Sequence, residues 1–375
     1  MSVSILDAEQ VRRALTLRDL TDPKDGPHAL QLLVDAAVQA LRAAWGAEVR
    51  LTRKSPIVSI RDNYDRLGYS AEAAARDARY TRYVCDVALL RTQTSALIPP
   101  LLCDLARAPL ADVLLACPGV TYRRDSIDRL HTGEPHQLDL WRIRPGKLDV
   151  ADLRQMIDLV VVALLPGRRQ RVLPAEHPYT TNGLQIDVET ASGWIEIGEC
   201  GLAHPALLRD SGLDPGAVSG LAMGIGLDRV LMLKKGIDDI RLLRSTDPRI
   251  ASQMLDLEPY RQVSSMPTVR RDLSVALDGD SRTEDIGDQV RAALGDDAEL
   301  VESVELLAET PHDELPLVAV ARMGVASHQK NALIRVVLRA LDRTLTHDEC
   351  NELRDRIYAA LHRGSESEWA QERPG

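Results

Sequence analysis

The chain has 375 residues, a net charge of −10 and 45% hydrophobic content, which fits two or three domains and argues against indiscriminate nucleic-acid binding, though not against a local Arg-rich face. Five scattered cysteines, Cys85, Cys103, Cys117, Cys200 and Cys350, offer neither a disulfide framework nor a CxxC zinc pair, as expected for a reducing cytoplasm. No apolar run reaches membrane-span length, and the N-terminus lacks the pattern of a secretion signal.

Residues 8–21 read as a short helix closed by a Pro- and Gly-bearing turn at 21–27. Residues 28–45 form a longer helix with Leu30, Leu33, Val34, Ala37, Val38 and Leu41 on one face. Alternation at 49–53 predicts a strand, the Ala- and charge-rich stretch 71–78 is expected to cross the surface, and 94–107 reads as a helix carrying Pro99 and Pro100. Further strands are expected at 110–116, 119–123, 136–143, 184–189 and 193–198, with a buried helix at 150–165 stopped by Pro166 and Gly167. This first domain is taken as 1–245, followed by a linker at 246–266. A small α+β unit then occupies 267–364. It has predicted strands at 272–277, 301–308, 315–325 and 332–341. The boxes Ser281-Arg282-Thr283-Glu284 and Thr346-His347-Asp348-Glu349 open its two helices, and Gly364 ends the second. The polar tail is 365–375.

Three constellations carry chemistry. Tyr122-Arg123-Arg124-Asp125, followed by His131, Glu134, His136, Gln137 and Asp139, presents an Arg fork and carboxylates near one another. It suits a nucleotide α-phosphate, or else a salt-bridged hairpin. The run Gly220-Leu221-Ala222-Met223-Gly224-Ile225-Gly226-Leu227-Asp228-Arg229 places glycines at alternate positions. One face of such a strand is bare enough for a flat ring, and Arg229 emerges at a helix start. The run is neither a P-loop nor GxGxxG, and it could also mark close packing. In Trp194-Ile195-Glu196-Ile197-Gly198-Glu199, the two glutamates either hold Mg²⁺ against phosphates or are ordinary strand and turn carboxylates.

Taken in order, several segments resemble the catalytic core of phenylalanyl-tRNA synthetase, a class II enzyme. They are Arg91-Thr92-Gln93-Thr94-Ser95, Tyr122 to Asp128, His136-Gln137-Leu138-Asp139, and the glycine run ending in Asp228-Arg229. Residues 266–273 resemble the start of that family's ferredoxin-fold anticodon-binding domain, giving the layout of its single-chain form. The resemblance implies an α+β fold: a class II antiparallel sheet flanked by helices, then a ferredoxin-like domain. It implies ATP-dependent activation of phenylalanine or a related amino acid and its transfer to tRNA, by a monomer or a homodimer.

Carried over by position, Arg123 and Arg229 are the catalytic pair on the α- and γ-phosphates, with Asp125, His136, Gly224 and Gly226 completing the ATP site. Gln93, Ser95, Gln137, Asp139, His177, Tyr179 and Ala222 line the amino-acid site. From the residues themselves, Glu196 is the candidate Mg²⁺ ligand, and Arg270, Arg271 and Lys330 are available for tRNA phosphates or else form a solvated basic edge. The departures cluster in the amino-acid pocket. The family's Phe-Pro-Phe segment reads His177-Pro178-Tyr179, Gln93 replaces a His, and Ile98 stands where a Gln is expected. Phenylalanine is absent from the whole chain, where average usage gives roughly a dozen. Removal of every Phe would explain the lost pocket aromatics but not the lost His and Gln, which favour altered substrate handling. Two further readings stay open: a paralogue with another amino acid or acceptor, and a non-catalytic binder. The acidic stretch 365–369 puts the family's last strand in doubt.

Overall fold

The computed structural model describes residues 5–77, 80–124, 126–263 and 266–367. The chain divides into two compact units. The first comprises residues 1–123, 134–237 and 252–260; the second comprises 124–133, 238–251 and 261–375. The loop at 124–133, expected in the first domain, therefore groups with the second, and part of the expected linker groups with the first.

The first unit contains, in chain order, α1 (Ala8–Thr16), α2 (Ala29–Trp45), β1 (Glu48–Leu51), β2 (Ile57–Ser59), β3 (Tyr83–Cys85), β4 (Ala88–Leu90) and α3 (Ile98–Leu105). There follow β5 (Val113–Val120), β6 (His136–Pro145), α4 (Val150–Leu164), β7 (Gln170–Pro174), β8 (Thr180–Thr190), β9 (Gly193–Ala203), α5 (Pro205–Asp210), β10 (Val218–Gly226) and α6 (Leu227–Lys235). Seven strands form one sheet in the order β1-β5-β6-β10-β9-β8-β7. Among the described residues only the β1–β5 pair of this sheet is parallel.

β5 is buried along its whole length because both faces of the sheet are covered there, which explains its continuous apolar run. Two strands were expected at 110–116 and 119–123; the structure has one. Pro118-Gly119 lies inside it, and Gly119 has φ +157 with the Arg91 guanidinium against its Cα, where no Cβ fits. Beyond Val120 the chain leaves the sheet, with the Tyr122 N–H donating to the Arg91 carbonyl.

On one face α2, α4 and α6 pack against one another and the sheet. Leu114, Leu138, Leu140, Met223 and Ile225 are buried there. The other face has two halves. Its apolar half, Val113, Leu115, Cys117, Trp141, Ile143 and Ala222, lies under α3 and α5. Its polar half holds the chemistry described below.

The second unit contains α7 (Pro248–Ala251), β11 (Val269–Asp278), α8 (Thr283–Leu294), β12 (Val301–Pro311), α9 (Leu317–Met323), β13 (Gln329–Leu338) and α10 (His347–Leu361). Its antiparallel sheet has the order β11-β13-β12. Leu273, Val275, Ile334, Val336, Ile286, Val290, Leu353 and Ile357 form its core with α8 and α10. Ile127 joins that core, and its carbonyl accepts from the Val304 N–H. The strand expected at 315–325 is instead α9. Pro316 precedes its first turn, Gly324 closes it in the left-handed conformation, Leu317 and Val318 are exposed, and Met323 and Val325 are buried against Ala276. The Thr346–Glu349 box caps α10 as read, whereas at α8 the box shifts by one residue, the Arg282 N–H donating to Asp285. Among the described residues no fourth strand forms. After α10 the Arg363 N–H donates to the Ala276 carbonyl at the sheet edge, and 368–375 of the tail lie outside the described residues. Among the described residues no helix is long and apolar enough to cross a membrane.

Candidate active site

The strand register sets the floor of the polar half. Asp139, Gly224, Glu199 and Gln185 align across β6, β10, β9 and β8, so their side-chain positions share one face. The glycines differ in purpose. A Cβ on Gly198 would lie 2.2 Å from the Gly224 carbonyl oxygen, and one on Gly220 would lie 2.6 Å from Ile143, so both are packing glycines. A Cβ on Gly224 would meet nothing nearer than Asp139 Oδ1 at 3.9 Å, and one on Gly226 nothing nearer than the Ile197 carbonyl at 3.8 Å. Neither has a positive φ. Packing and backbone strain therefore do not require glycine at these two positions, which leave a smooth, open floor.

Two guanidiniums border this floor. Arg123 Nε donates to the Thr92 carbonyl at 3.0 Å, and Arg229 donates to the Glu196 carbonyl at 2.9 Å. Neither forms an ion pair among the described residues, so each is oriented by a neutral carbonyl and keeps its full charge. Both act on one group: the Glu196 carboxyl is raised by lost hydration and by Glu199 and Asp187, against the lowering pull of Arg229 and Arg123. The alternation of β9 is broken by a bulge, since Ile186 pairs with Gly198 but Asp187 with Glu196. The extra residue, Ile197, turns Glu196 to the same face as Glu199. Among the described residues no three His, Cys, Asp or Glu side chains group as a metal cage. A Mg²⁺ ion here would take Glu196, with Glu199 nearby, and complete its shell from phosphate and water, as that ion commonly does.

Asp139 is 3% exposed and accepts from Thr94 Oγ1 at 2.7 Å, from Ser95 Oγ at 3.0 Å and from Trp141 Nε1 at 3.3 Å. Burial raises its carboxyl above the usual range. Gln137 Oε1 accepts from the Thr94 N–H at 3.3 Å, and Gln93 Nε2 donates to the Asn63 carbonyl at 3.2 Å. Pro178 turns the chain so that the Thr180 N–H meets the His177 carbonyl at 3.1 Å. This swings His177 onto Glu199, Nε2 to Oε2 at 2.9 Å, and raises the imidazole above its ordinary value. Tyr179 lies among Tyr69, Trp141 and His177, with ring centroids 6.2, 6.1 and 5.2 Å away. Ala222 is buried between Trp141 and Gly201 in the register.

His136 departs from its expected place at ATP. The ring is fully buried with both nitrogens engaged: the Leu20 N–H donates to Nε2 at 3.2 Å, and Nδ1 meets Asp228 at 2.9 Å. In the neutral ring the first bond puts the proton on Nδ1, so His136 ties the N-terminal segment to α6. Lys330 is engaged within its own unit, bound to Glu309 at 2.5 Å and to the Ser281 carbonyl at 2.8 Å. Arg271 contacts Asn351 and His347 at 3.3 Å each. Arg270 is exposed. Asp125 lies outside the described residues. Sequence reading missed Thr94, Tyr69, Trp141 and Asp187. Asp187 had a signal, the alternation Gln185-Ile186-Asp187, and Thr94 stands inside the family-like segment 91–95; Tyr69 and Trp141 had none.

A seven-stranded, mainly antiparallel sheet with one parallel edge pair, helices behind it and a glycine-bared face in front defines a class II aminoacyl-tRNA synthetase core. The family "tRNA synthetases class II core domain (F)" matches residues 28–254, and the chain belongs to it. Among curated proteins, the phenylalanine–tRNA ligase alpha subunit of Clostridium beijerinckii is 35% identical over 204 residues, 51% of this chain and 59% of that one. The protein of the same name from Limosilactobacillus reuteri is 32% identical over 243 residues, 60% of this chain and 68% of the relative. That of Prochlorococcus marinus is 34% identical over 191 residues, 51% and 56%. The chain thus spans 56–68% of the length of these relatives.

Proposed function

We propose that this chain condenses an amino acid with ATP and passes the activated acyl group to tRNA. The supporting observation is the pair Arg123 and Arg229, each held by a carbonyl and neither neutralised by a carboxylate among the described residues, beside a floor left bare by Gly224 and Gly226. Such a face suits a polyanion lying under a flat ring.

In the first step the substrate carboxylate attacks the α-phosphorus in line. The bond from phosphorus to the α–β bridging oxygen breaks, and pyrophosphate leaves with the electron pair. Arg123 balances charge that grows on the α-phosphate, and Arg229 holds the γ end. Catalysis is positioning and electrostatics, with no covalent enzyme intermediate. Glu196 would hold Mg²⁺, which when bound neutralises phosphate charge and relieves the crowding by Glu199 and Asp187. In the second step a terminal ribose hydroxyl of tRNA attacks the acyl carbon, and AMP leaves.

Phenylalanine or a related amino acid is the substrate, a reading supported by the names of the relatives. Those relatives are alpha subunits. This chain carries its second unit mostly beyond the matched residues, and we assign to that unit the tRNA contact, within a monomer or homodimer in the cytoplasm. ATP–pyrophosphate exchange with a panel of amino acids tests the first step. Exchange with an aromatic amino acid is expected; a folded protein that exchanges with none refutes the reading. Charging of total tRNA tests the second.

A further inference from the structure

The mechanism above leaves one pair of titratable side chains unused. His177 and Glu199 meet at 2.9 Å at the edge of the open floor, 23% and 34% exposed. Glu199 shares the register row of Asp139 and Gly224, so the pair borders the space above Gly224. Only Glu199 Oε2 is engaged; among the described residues Oε1 has no partner, nor has Nδ1 of His177. A second polar atom lies close by. Among the described residues Thr180 Oγ1 has no hydrogen-bond partner; it is buried next to Gly201 and hence beside the row of Trp141 and Ala222. The surrounding walls are aromatic: Tyr179, Trp141 and Tyr69.

An unsubstituted phenyl ring would leave all these groups without a partner. Of these groups only Thr180 Oγ1 is buried, where a missing partner costs about 1–3 kcal/mol; His177 and Glu199 are open enough to exchange water for a substrate hydroxyl. Asp139 does not share the task, because its oxygens already accept from Thr94, Ser95 and Trp141.

We propose that the amino-acid subsite reads an aromatic substrate through a ring hydroxyl, with the His177–Glu199 pair as the reading group. The proposal rests on the amino-acid activation described above and narrows its substrate class. The hydroxyl donates to Glu199 Oε1, while the His177 Nε2–H donates to Oε2 and fixes the carboxylate. Pro178 and the backbone bond from the His204 N–H to the Tyr179 carbonyl, 2.9 Å, hold the His177–Thr180 turn in place, so the reading group is preformed. A site built to bond a hydroxyl rejects the analogue without it by about 10⁴–10⁵ when fully tuned.

The test is ATP–pyrophosphate exchange by the full chain with phenylalanine, tyrosine, meta-tyrosine and 3,4-dihydroxyphenylalanine, alongside ATP-induced thermal shift. At least one hydroxylated substrate is expected to exceed phenylalanine in kcat/KM by about 10²-fold or more. Glu199→Gln and His177→Phe are expected to move that ratio toward phenylalanine by about tenfold or more, the value of one lost hydrogen bond. Phenylalanine as the best substrate overturns the proposal and leaves amino-acid activation standing. So does an unmoved ratio in both variants, if each melts as the parent does. Exchange with no amino acid, together with no thermal shift by ATP, overturns both.

Discussion

Two pairs of cations, one pair from each unit, are held in opposite ways. In the first, Arg123 and Arg229 are oriented by backbone carbonyls and left unneutralised beside bare glycine backbone. In the second, Arg335 forms a two-pronged bond with Asp272 at 2.8 Å, and Lys330 is bound to Glu309. The second unit does have a hollow of about 700 Å³, lined by Arg270, Ser303, Glu305 and Arg335 among others. Yet cation and carboxylate alternate around it, so it offers little net field to a phosphate. A guanidinium held by a carbonyl keeps its charge for a ligand; one held by a carboxylate has spent it on the fold.

Removing the unspent charges gives the largest expected effect. Arg229→Ala and Arg123→Ala should each lower the exchange rate by about 10²–10³, the usual cost of losing one preorganised donor to developing charge. Because among the described residues each side chain bonds only a carbonyl, thermal midpoints should stay at the parent value. Rates within a factor of two of the parent would break the contrast at its strong end.

The glycines divide the same way. Gly224→Ala and Gly226→Ala place a methyl where the nearest atoms are 3.9 and 3.8 Å away, so the fold should tolerate them. Exchange should nevertheless fall by up to about 10²-fold, because a nucleotide lying on the floor is displaced. Gly198→Ala should do the reverse, destabilising by about 1–3 kcal/mol through overpacking against the Gly224 carbonyl. Equal loss of stability in all three variants, measured by urea midpoints, would make Gly224 and Gly226 ordinary packing glycines.

What was legible in the sequence follows from locality. The α2 stripe, the alternating strands and the glycine run are patterns within one element, and the structure forms them close to where they were read. The same rule explains the misses. The run 315–325 reads as a strand, and no local cue says that Leu317 and Val318 stay exposed on a helix, α9, that buries Met323. Glu196 and Glu199, three apart on a strand, belong on opposite faces by parity; only pairing with β8 creates the bulge that unites them. His136 and Asp228 are 92 residues apart, and Ile127 enters a core built mostly from residues after 268. Such pairings carry no sequence periodicity.

Asp139 tests how costly the polar half of the face is to the fold. Burial raises its carboxyl, and the bonds from Thr94, Ser95 and Trp141 offset this only in part. The folded chain then binds the proton more tightly than the unfolded chain. Stability from this group therefore falls as pH rises from about 4, the unfolded value, through the raised folded value. Asp139→Asn removes that slope. Urea midpoints from about pH 3 to pH 8 should show the variant gaining on the parent as pH rises. A difference that stays constant across the range would mean that the Asp139 carboxyl titrates in the fold as it does in the unfolded chain.

The smallest effect is expected in the second unit. Arg270 is exposed and has no ion pair among the described residues, whereas Lys330 is committed to Glu309 and the Ser281 carbonyl. If this unit meets tRNA through phosphates, Arg270→Ala should weaken binding modestly across sequences and lower the salt slope by about one. Lys330→Ala should leave tRNA affinity unchanged and lower the thermal midpoint instead, because the lysine joins β13 to β12 and to the turn before α8. Should Lys330→Ala cost as much affinity as Arg270→Ala, the lysine must leave Glu309 for RNA, and the second unit would hold its charges in reserve much as the first one does.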